Sequence, residues 1–590
     1  MNSIQVKEYD TLIVGAGGAG LRAALEMAQS KEYKVAVVSK VFPTRSHTVS
    51  AQGGIAAALG NVVPDKPIWH MYDTVKGSDY LGDQNAIQYM CEQAPTSVYE
   101  LEHYGLPFSR LSDGRIYQRA FGGHTCDFGK EMALRTCACA DRTGHAMLHT
   151  LYQKNIEAGT HFYNEWYGID LVRGIKGGIV GLIALNMATS DLFFFKSRAT
   201  IFATGGAGRI YETTSNAYTN TGDGIGMALR AGLPVQDMEF WQFHPTGIYG
   251  IGCLITEGAR GEGGYLINKN GERFMERYSP HLKDLDCRDV VSRSILQEIM
   301  IGNGVGPKKD YVLLKLNHIK EKVLRERLPG IIELSEKFAN VNITKEPIPV
   351  LPTCHYMMGG IPTTIHGQAL TMDENSNDQV VEGMFAAGEC ACVSVHGANR
   401  LGTNSLLDLV VFGRSIGLYL KEMLKTKLKH RTENTDDIDA TLARLKRWEK
   451  SDNTENPVII RQKMKKAMSE DFGVFRNEKQ MDRGLKRLKK LQEQLRRAKL
   501  MDTSRIFNNA RVEALELDNL IEVSYATAVC ANQRKESRGA HYRYDYSKRD
   551  DVNWLKHTVY FRDGRIAYRP VNMKPKGIEP FPLKARNHRV

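Results

Sequence analysis

A glycine-rich loop, Gly15-Ala-Gly17-Gly-Ala-Gly20, constrains the fold more than any other feature of the sequence. The apolar run at 11–14 predicts a buried parallel strand, the pattern at 21–29 predicts a helix, and 34–38 predicts a second strand. Strand, glycine turn, helix and strand make a mononucleotide-binding unit, in which glycines let a pyrophosphate approach the backbone at a helix N-terminus. We therefore predict an α/β fold with a Rossmann-like domain that binds a dinucleotide.

The rest of the sequence predicts three further parts. Runs at 199–206 and 383–389 also end in glycine turns and fit the same sheet, so the segment between them contains an insertion. From about residue 415 the pattern is helical, and one helix carries an apolar stripe of Leu485, Leu488, Leu491 and Leu495. The predicted domains are a discontinuous dinucleotide-binding domain at 1–238 and 354–420, an α+β capping domain at 239–353, a helical domain at 421–540 and a small C-terminal domain at 541–590.

Composition argues against several classes of protein. Ten cysteines occur in 590 residues without a C-x-x-C pair, so the spacing of zinc and iron–sulfur ligands is absent and we expect no metal. No window approaches the roughly 18 apolar residues that a membrane helix needs. The net charge of +12 has its positive excess in 421–500 and 541–590. Without a nucleic-acid-binding motif, we interpret this excess as a solvated surface or as a docking face for an acidic partner subunit.

A histidine lies in a polar segment downstream of the loop, Pro43-Thr-Arg-Ser-His47-Thr-Val-Ser-Ala-Gln52-Gly-Gly54. The loop alone leaves the choice between NAD and FAD open, because Ser39-Lys40 ends the second strand where an acidic residue usually contacts the ribose. Ser39 to Gly54 resembles the flavin-attachment stretch of the succinate dehydrogenase and fumarate reductase flavoprotein family, and the resemblance extends over nearly the whole chain. It implies FAD bonded covalently to His47, and an FAD-binding domain at 1–238 and 354–420.

The same resemblance implies which other residues contact FAD. An alkylated flavin has a raised reduction potential, which suits the desaturation of an unactivated succinate C–C bond, whereas nicotinamide would be too weak an acceptor. The implied contacts are Gly15, Ala16, Gly17, Gly18, Ala19, Gly20, Ser39, Lys40, Thr44, Arg45, Ser46, Ser50, Gln52, Gly53, Gly54, Asp223, Glu389, Ser405 and Leu406.

A dicarboxylate substrate needs cations or hydrogen-bond donors at both of its ends. The resemblance assigns this role to residues in glycine-flanked segments, namely His244, Thr256, His355 and Arg400. A single histidine is more often structural, so the assignment depends on these residues converging at the cleft between the insertion and the sheet domain.

The family's catalytic arginine corresponds to Arg288, and Glu257 and Arg260 match the positions of a proton relay. Arginine is a poor base because its pKa lies above about 12. An alternative is therefore that Arg288 only binds a carboxylate and another group takes the proton. Cys287, next to Arg288, is predicted to be a thiol whose modification blocks the site.

The resemblance implies that the chain oxidises succinate to fumarate and passes electrons to a separate iron–sulfur subunit, then through membrane-anchor subunits to quinone. Gln52 stands where quinol-linked reductases often have Glu, which favours a dehydrogenase over the alternative, a fumarate reductase. A second alternative is L-aspartate oxidase, against which His47 argues. A third is an FAD-containing RNA-modification or RNA-binding protein, prompted by the basic C-terminal third. Since the loop begins at Gly15 and leaves no room for a presequence, we expect a peripheral position on the cytoplasmic side of a bacterial inner membrane.

Overall fold

The computed structural model describes residues 4–450 and 454–585. Residues 1–3, 451–453 and 586–590, which belong to the predicted domains, lie outside the described residues. The strands are β1 Gln5–Val14, β2 Val35–Ser39, β3 Ile55–Ala56, β4 Gln118–Cys126, β5 Glu131–Cys137, β6 His161–Asn164, β7 Trp166–Arg173, β8 Ile179–Asn186, β9 Leu192–Phe202, β10 Val235–Gln236, β11 Trp241–Ile248, β12 Tyr265–Ile267, β13 Val312–Lys315, β14 Ile348–Met357, β15 Ile361–Pro362, β16 Gln368–Met372, β17 Asp378–Ala386, β18 Ala391–Cys392, β19 Phe475–Arg476, β20 Tyr542–Arg543, β21 Lys556–Tyr560 and β22 Ile566–Pro570.

The helices alternate with these strands in the first part of the chain and dominate the last part. They are α1 Gly18–Ala28, α2 Pro67–Gly77, α3 Gln84–His103, α4 Thr143–Ala158, α5 Asp223–Arg230, α6 Gly258–Gly261, α7 Met275–Tyr278, α8 Arg288–Met300, α9 Glu321–Arg327, α10 Pro329–Leu334, α11 Asn404–Thr426, α12 Thr435–Arg447, α13 Pro457–Asp471, α14 Glu478–Leu495 and α15 Asn509–Gln533.

A largely parallel sheet has the strand order β16-β17-β9-β1-β2-β6, with β8 paired to β9 and β7 paired to β8. Strands β1 and β17 both run parallel to β9, so Val14, Phe202 and Ala386 come together at one edge of the sheet. Leu12 and Ile13 of β1 enter apolar clusters on opposite faces of the sheet. Their side chains alternate between two covered faces, which explains why the predicted run is apolar without a polar alternation.

A second, antiparallel sheet has the order β11-β14-β13-β12 and lies largely within the predicted insertion. It packs with α8 around a separate core that includes Ile248, Val291 and Leu314. From β14 the chain returns to the first sheet through β16 and β17. The boundary predicted between 353 and 354 falls inside β14, and the one between 420 and 421 falls inside α11. The division into domains stays a prediction.

The last part of the chain combines α12 to α15 with a small strand pair, β21 and β22, that extends to β10. On α14, Leu488, Leu491 and Leu495 are buried and Leu485 is half-buried. The predicted apolar stripe therefore forms the face of α14 that packs against α13 and α15. Across the described ranges, no helix combines the length and apolar character that crossing a bilayer requires.

Candidate active site

A cavity of about 660 Å³ lies at the carboxyl ends of β1, β2, β9 and β17, where ligands bind in open α/β sheets. It extends from the glycine loop to residues of the second sheet. The predicted residues that line it are Gly15, Ala16, Gly17, Gly18, Ala19, Ser39, Lys40, Ser46, His47, Ser50, Gln52, Gly53, Gly54, Asp223, His244, Thr256, Arg288, His355, Glu389, Arg400, Ser405 and Leu406. The other predicted residues, which do not line it, are Gly20, Thr44, Arg45, Glu257 and Arg260.

The glycine loop is packed so tightly that both of its ends exclude a side chain. Gly15 has a φ of +108°, and a Cβ there would lie 2.2 Å from the carbonyl oxygen of Ala203. A Cβ on Gly20 would lie 2.0 Å from the carbonyl oxygen of Gly15. Helix α1 then begins at Gly18 without a side-chain cap and without an acidic residue in its first turn. The Gly18 N–H donates to Thr48 Oγ1 at 3.1 Å. The other N–H groups of the first turn and the positive end of the helix dipole suit the phosphates of a dinucleotide.

Lys40, at the end of β2, stands in the place of the expected acidic residue and belongs to a buried ionic cluster. Its Nζ atom lies 2.6 Å from Asp223 Oδ2 and 2.8 Å from Glu516 Oε1. Burial opposes the charge of Lys40, but the two carboxylates outweigh this effect and raise its pKa. Glu516 was not predicted, because 476 residues separate it from Lys40. Its one signal in the sequence is a charge between Leu515 and Leu517, which are both buried in α15.

The segment around His47 forms a short 3-10 turn at His47–Ser50. The Ala217 N–H donates to His47 Nδ1 at 3.3 Å, and burial lowers the pKa of His47 to about 4. The imidazole is therefore neutral at neutral pH, and Nε2 is the nitrogen that carries a hydrogen or another substituent. Arg119 donates to the carbonyl oxygen of Gly53 at 2.6 Å and fixes the far end of this segment.

Two guanidinium groups meet on one amide oxygen at the substrate end of the cavity. Gln242 Oε1 accepts from Arg288 Nη1 at 3.0 Å and from Arg400 Nη2 at 3.1 Å. The Gln242 amide nitrogen donates to Asn399 Oδ1 at 2.9 Å, which fixes the orientation of the amide. Burial and the charge of Arg288 lower the pKa of Arg400 to about 9, so the site is short of negative charge. Gln242 was not predicted, although it lies two positions before His244.

His244 and His355 lie beside the guanidinium pair, with their ring centroids 5.1 Å apart. His244 Nδ1 accepts from the Thr246 N–H at 3.2 Å. Its buried Nε2 has no hydrogen-bond partner within the described part of the chain. His355 Nδ1 lies 2.7 Å from Ser215 Oγ. Burial and the charge of Arg288 lower the pKa of both imidazoles well below the usual value. A neutral His244 therefore has an Nε2–H that is available to a ligand.

Glu257 and Arg260 form a chain of contacts that leads away from Arg288. Arg288 Nε donates to Glu257 Oε2 at 2.7 Å, and Arg260 Nη2 lies 3.8 Å from the same oxygen. Burial raises the pKa of Glu257, but the two arginines outweigh burial, and the pKa is lowered. Glu257 is therefore ionised between two cations. Thr256, the residue before it, lines the cavity.

Comparison with known proteins identifies the family. Residues 10–406 match the family described as FAD binding domain, and residues 461–588 match the family described as fumarate reductase flavoprotein C-term. A succinate dehydrogenase flavoprotein subunit from Coxiella burnetii is 85% identical over 587 residues, with 100% of both chains covered. The chain belongs to the succinate dehydrogenase and fumarate reductase flavoprotein family.

Other members of this flavoprotein family are more distant. A mitochondrial succinate dehydrogenase [ubiquinone] flavoprotein subunit from Oryza sativa is 54% identical, with 98% of this chain and 92% of the rice protein covered. A fumarate reductase flavoprotein subunit from Escherichia coli is 43% identical, with 97% and 95% covered. A solved E. coli quinol fumarate reductase has a TM-score of 0.90 at 41% identity, with 98% of this chain and 99% of that chain covered.

These comparisons decide several of the predictions from sequence. The predicted family is confirmed, and so is the fold class, an α/β FAD-binding domain followed by a C-terminal part. The prediction of a succinate dehydrogenase flavoprotein is confirmed by the Coxiella and rice relatives. The dinucleotide of the glycine loop is FAD. The tight loop, the uncapped start of α1 and the long cavity fit that cofactor.

Proposed function

We propose that the chain oxidises succinate to fumarate as the flavoprotein of a succinate:quinone oxidoreductase. The observation that carries the proposal is the pair of Arg288 and Arg400 on Gln242 Oε1, in the same cavity as the FAD loop. Two buried cations with His244 and His355 beside them suit a small dianion that has a carboxylate at each end. The bound carboxylates would also supply the negative charge that the site lacks.

The residues that would hold FAD follow the cavity from the glycine loop to the His47 segment. The start of α1 suits the pyrophosphate, since its N-cap residue, Gly17, has no side chain that could accept from the first N–H groups, although Thr48 Oγ1 accepts from the Gly18 N–H. His47 is proposed to carry the covalent link. Its Nδ1 accepts the Ala217 N–H, so Nε2 is the nitrogen left for a carbon substituent, and the low pKa keeps the ring a neutral nucleophile. FAD bound in this way supplies a hydride acceptor of raised reduction potential.

Proton removal from the substrate methylene is assigned to Arg288, with Glu257 and Arg260 behind it. An arginine with a pKa above about 12 is a poor base, so the proton needs an onward path. Glu257 offers one, because it is ionised and lies 2.7 Å from Arg288 Nε. Arg260 continues the path 3.8 Å from the same carboxylate oxygen. In the competing interpretation, Arg288 only binds a carboxylate and another group takes the proton.

The direction of the reaction and the electron acceptors are part of the same proposal. Gln52 lines the cavity where quinol-linked reductases often have Glu, and the 85% identical relative is a dehydrogenase subunit whereas the E. coli reductase subunit is 43% identical. We propose that electrons leave through an iron–sulfur subunit and membrane-anchor subunits to quinone, on the cytoplasmic side of a bacterial inner membrane. The basic C-terminal regions, 421–500 and 541–590, are candidates for the partner contact.

Steady-state succinate oxidation with an artificial electron acceptor, measured beside fumarate reduction with a reduced dye, tests the function. We expect malonate-sensitive oxidation that is faster than fumarate reduction, and flavin fluorescence that stays with the acid-precipitated protein. Arg288→Gln should lower oxidation by at least about a thousandfold and keep the covalent flavin. Flavin-loaded protein without malonate-sensitive oxidation would overturn the proposed function. Release of the flavin by acid would overturn the covalent link alone.

A further inference from the structure

A tight turn at 538–541 is far from the catalytic motifs in sequence but contacts the segment that carries Arg400, one of the two substrate-site arginines. The His541 N–H donates to the carbonyl oxygen of Arg538 at 3.0 Å and closes the turn. At its tip, the Ala540 N–H donates to the carbonyl oxygen of Ala398 at 2.9 Å. Ala398 lies two residues before Arg400, so the turn is bonded to the backbone that carries this arginine.

On its other side the turn binds helix α8, which begins with Arg288. Arg293 Nη1 donates to the carbonyl oxygen of Gly539 at 2.9 Å, and Arg293 Nη2 donates to Asp289 Oδ2 at 3.2 Å. The Arg293 guanidinium lies 5.4 Å from the centre of the Tyr542 ring, and the residue is only 6% exposed. Arg293 is five residues beyond Arg288 on the same helix, so a fixed Arg293 limits the rotation and translation of Arg288.

Gly539 allows the close approach of the turn to Ala398. Its φ is +53°, and a Cβ at this position would lie 2.5 Å from the carbonyl oxygen of Ala398. Only glycine adopts this conformation and this contact without strain. The Gly539 N–H also donates to Asp79 Oδ2 at 2.8 Å, which ties the turn to the segment before α3.

The two guanidinium groups need such an external support. Arg288 and Arg400 repel each other in a buried site, and their shared acceptor, Gln242, is neutral. Glu257 lies on Arg288 and does not hold Arg400 in place. We propose that the turn at 538–541 is a positioning element, which sets the separation of Arg288 and Arg400 for a dicarboxylate through Arg293 on one side and Ala398 on the other. This inference rests on the proposed function, because it concerns the same substrate.

The proposal is tested with the flavin-loaded Arg293→Gln variant. Its binding of malonate is monitored through the change in flavin absorbance. We expect the Kd for malonate to rise about tenfold, the size of effect that follows the loss of a hydrogen bond from a charged group. The KM for succinate should rise with it, and the acid-stable flavin content should not change. Arg293→Lys keeps a cation near Asp289 and should recover part of the affinity.

Arg444→Gln is the matched control. Arg444 is also largely buried and ion-paired, to Asp170 and Asp518, but it joins α12 to β7 and α15 away from the substrate residues. Arg444→Gln should lower the thermal midpoint at least as much as Arg293→Gln does. It should leave the Kd for malonate within about twofold of wild type. An Arg293→Gln enzyme with the same Kd as this control would overturn the proposal.

Gly539→Ala tests the other side of the turn and serves if Arg293→Gln does not fold. Its Cβ would displace Ala398, so we again expect weaker malonate binding. If both residues act through one turn, the double variant should bind malonate about as weakly as the weaker single variant. Effects on Kd that multiply would overturn a shared mechanism. Failure of wild-type enzyme to bind malonate would instead count against the proposed function.

Discussion

At the scale of single residues, the substrate site depends on a neutral amide between two cations. Gln242 accepts from both Arg288 and Arg400, and Asn399 holds its amide in the orientation that presents oxygen to the arginines. A carboxylate at this position would add a negative charge beside Arg400, whereas Arg288 is already paired with Glu257. Its second oxygen would face Asn399 Oδ1 and the carbonyl oxygen of Arg400, which now accept from the amide nitrogen. A carboxylate would also compete with the carboxylates of the substrate for Arg400, so a neutral amide favours substrate binding.

Gln242→Glu is therefore predicted to weaken malonate binding by about tenfold or more. The substitution preserves shape and adds a negative charge beside Arg400, whereas Arg288 is already paired with Glu257. Gln242→Leu is the control, since it removes the acceptor without adding charge and should lower the thermal midpoint. Thermal unfolding and flavin-monitored malonate titration measure the two effects. Unchanged malonate affinity in Gln242→Glu would contradict this account of the site.

The same residues show what the sequence could predict at this scale. The motifs around His47, His244 and Arg400 identified the residues that line one cavity. Gln242 and Glu516 were not predicted, and the reason is physical. Their importance comes from partners 46, 158 and 476 residues away, and no local pattern records that a fold brings such distant side chains together.

At the scale of elements, the strand, loop, helix and strand of the nucleotide-binding unit were predicted in the correct order. The prediction placed the first strand at 11–14, whereas β1 spans Gln5–Val14. The first half of β1 is mostly exposed and polar, so it lacks the apolar run that predicts a buried strand. Only the buried second half has such a run. The helix was predicted at 21–29 and begins at Gly18, because the glycines that open it lack helical periodicity.

Gly20→Ala tests whether the close packing of this loop and helix is required for FAD binding. A Cβ at this position would lie 2.0 Å from the carbonyl oxygen of Gly15 and would push the loop into the space of the phosphates. We expect the purified variant to contain less than about a tenth of the wild-type flavin. The flavin-to-protein absorbance ratio measures this.

Gly232→Ala is the control for that experiment. Gly232 has a φ of +82°, and apart from its two chain neighbours no atom of the described residues would lie within 4 Å of a Cβ at this position. The substitution therefore strains the backbone without a steric conflict. This variant should keep its flavin. Full flavin content in Gly20→Ala would show that the loop can relax around the added methyl group.

At the scale of the whole molecule, the end of the chain is built into the first part of the fold. Strand β21 pairs with β10, and its His557 lies between two carboxylates that are far away in the sequence. His557 Nδ1 is 2.6 Å from Asp237 Oδ2, and Nε2 is 3.2 Å from Asp83 Oδ1. The sequence predicted a small C-terminal domain at 541–590, but it could not show this attachment, because a buried ion pair has no local sequence pattern.

The cluster around His557 predicts how stability depends on pH. Burial opposes the charge of His557, but Asp237 and Asp83 outweigh burial and raise its pKa to about 9. The ordinary pKa in the unfolded chain is about 6.5. The cluster's contribution to the free energy of unfolding, on the order of 3 kcal/mol, should therefore be complete below pH 6.5 and be lost as the pH rises through about 9.

His557→Gln should remove this pH-dependent part of the stability, whereas His281→Gln, at an exposed histidine, should keep it. Thermal midpoints of the three proteins between pH 6 and 10 measure the effect, and parallel curves for wild type and His557→Gln would contradict a charged His557.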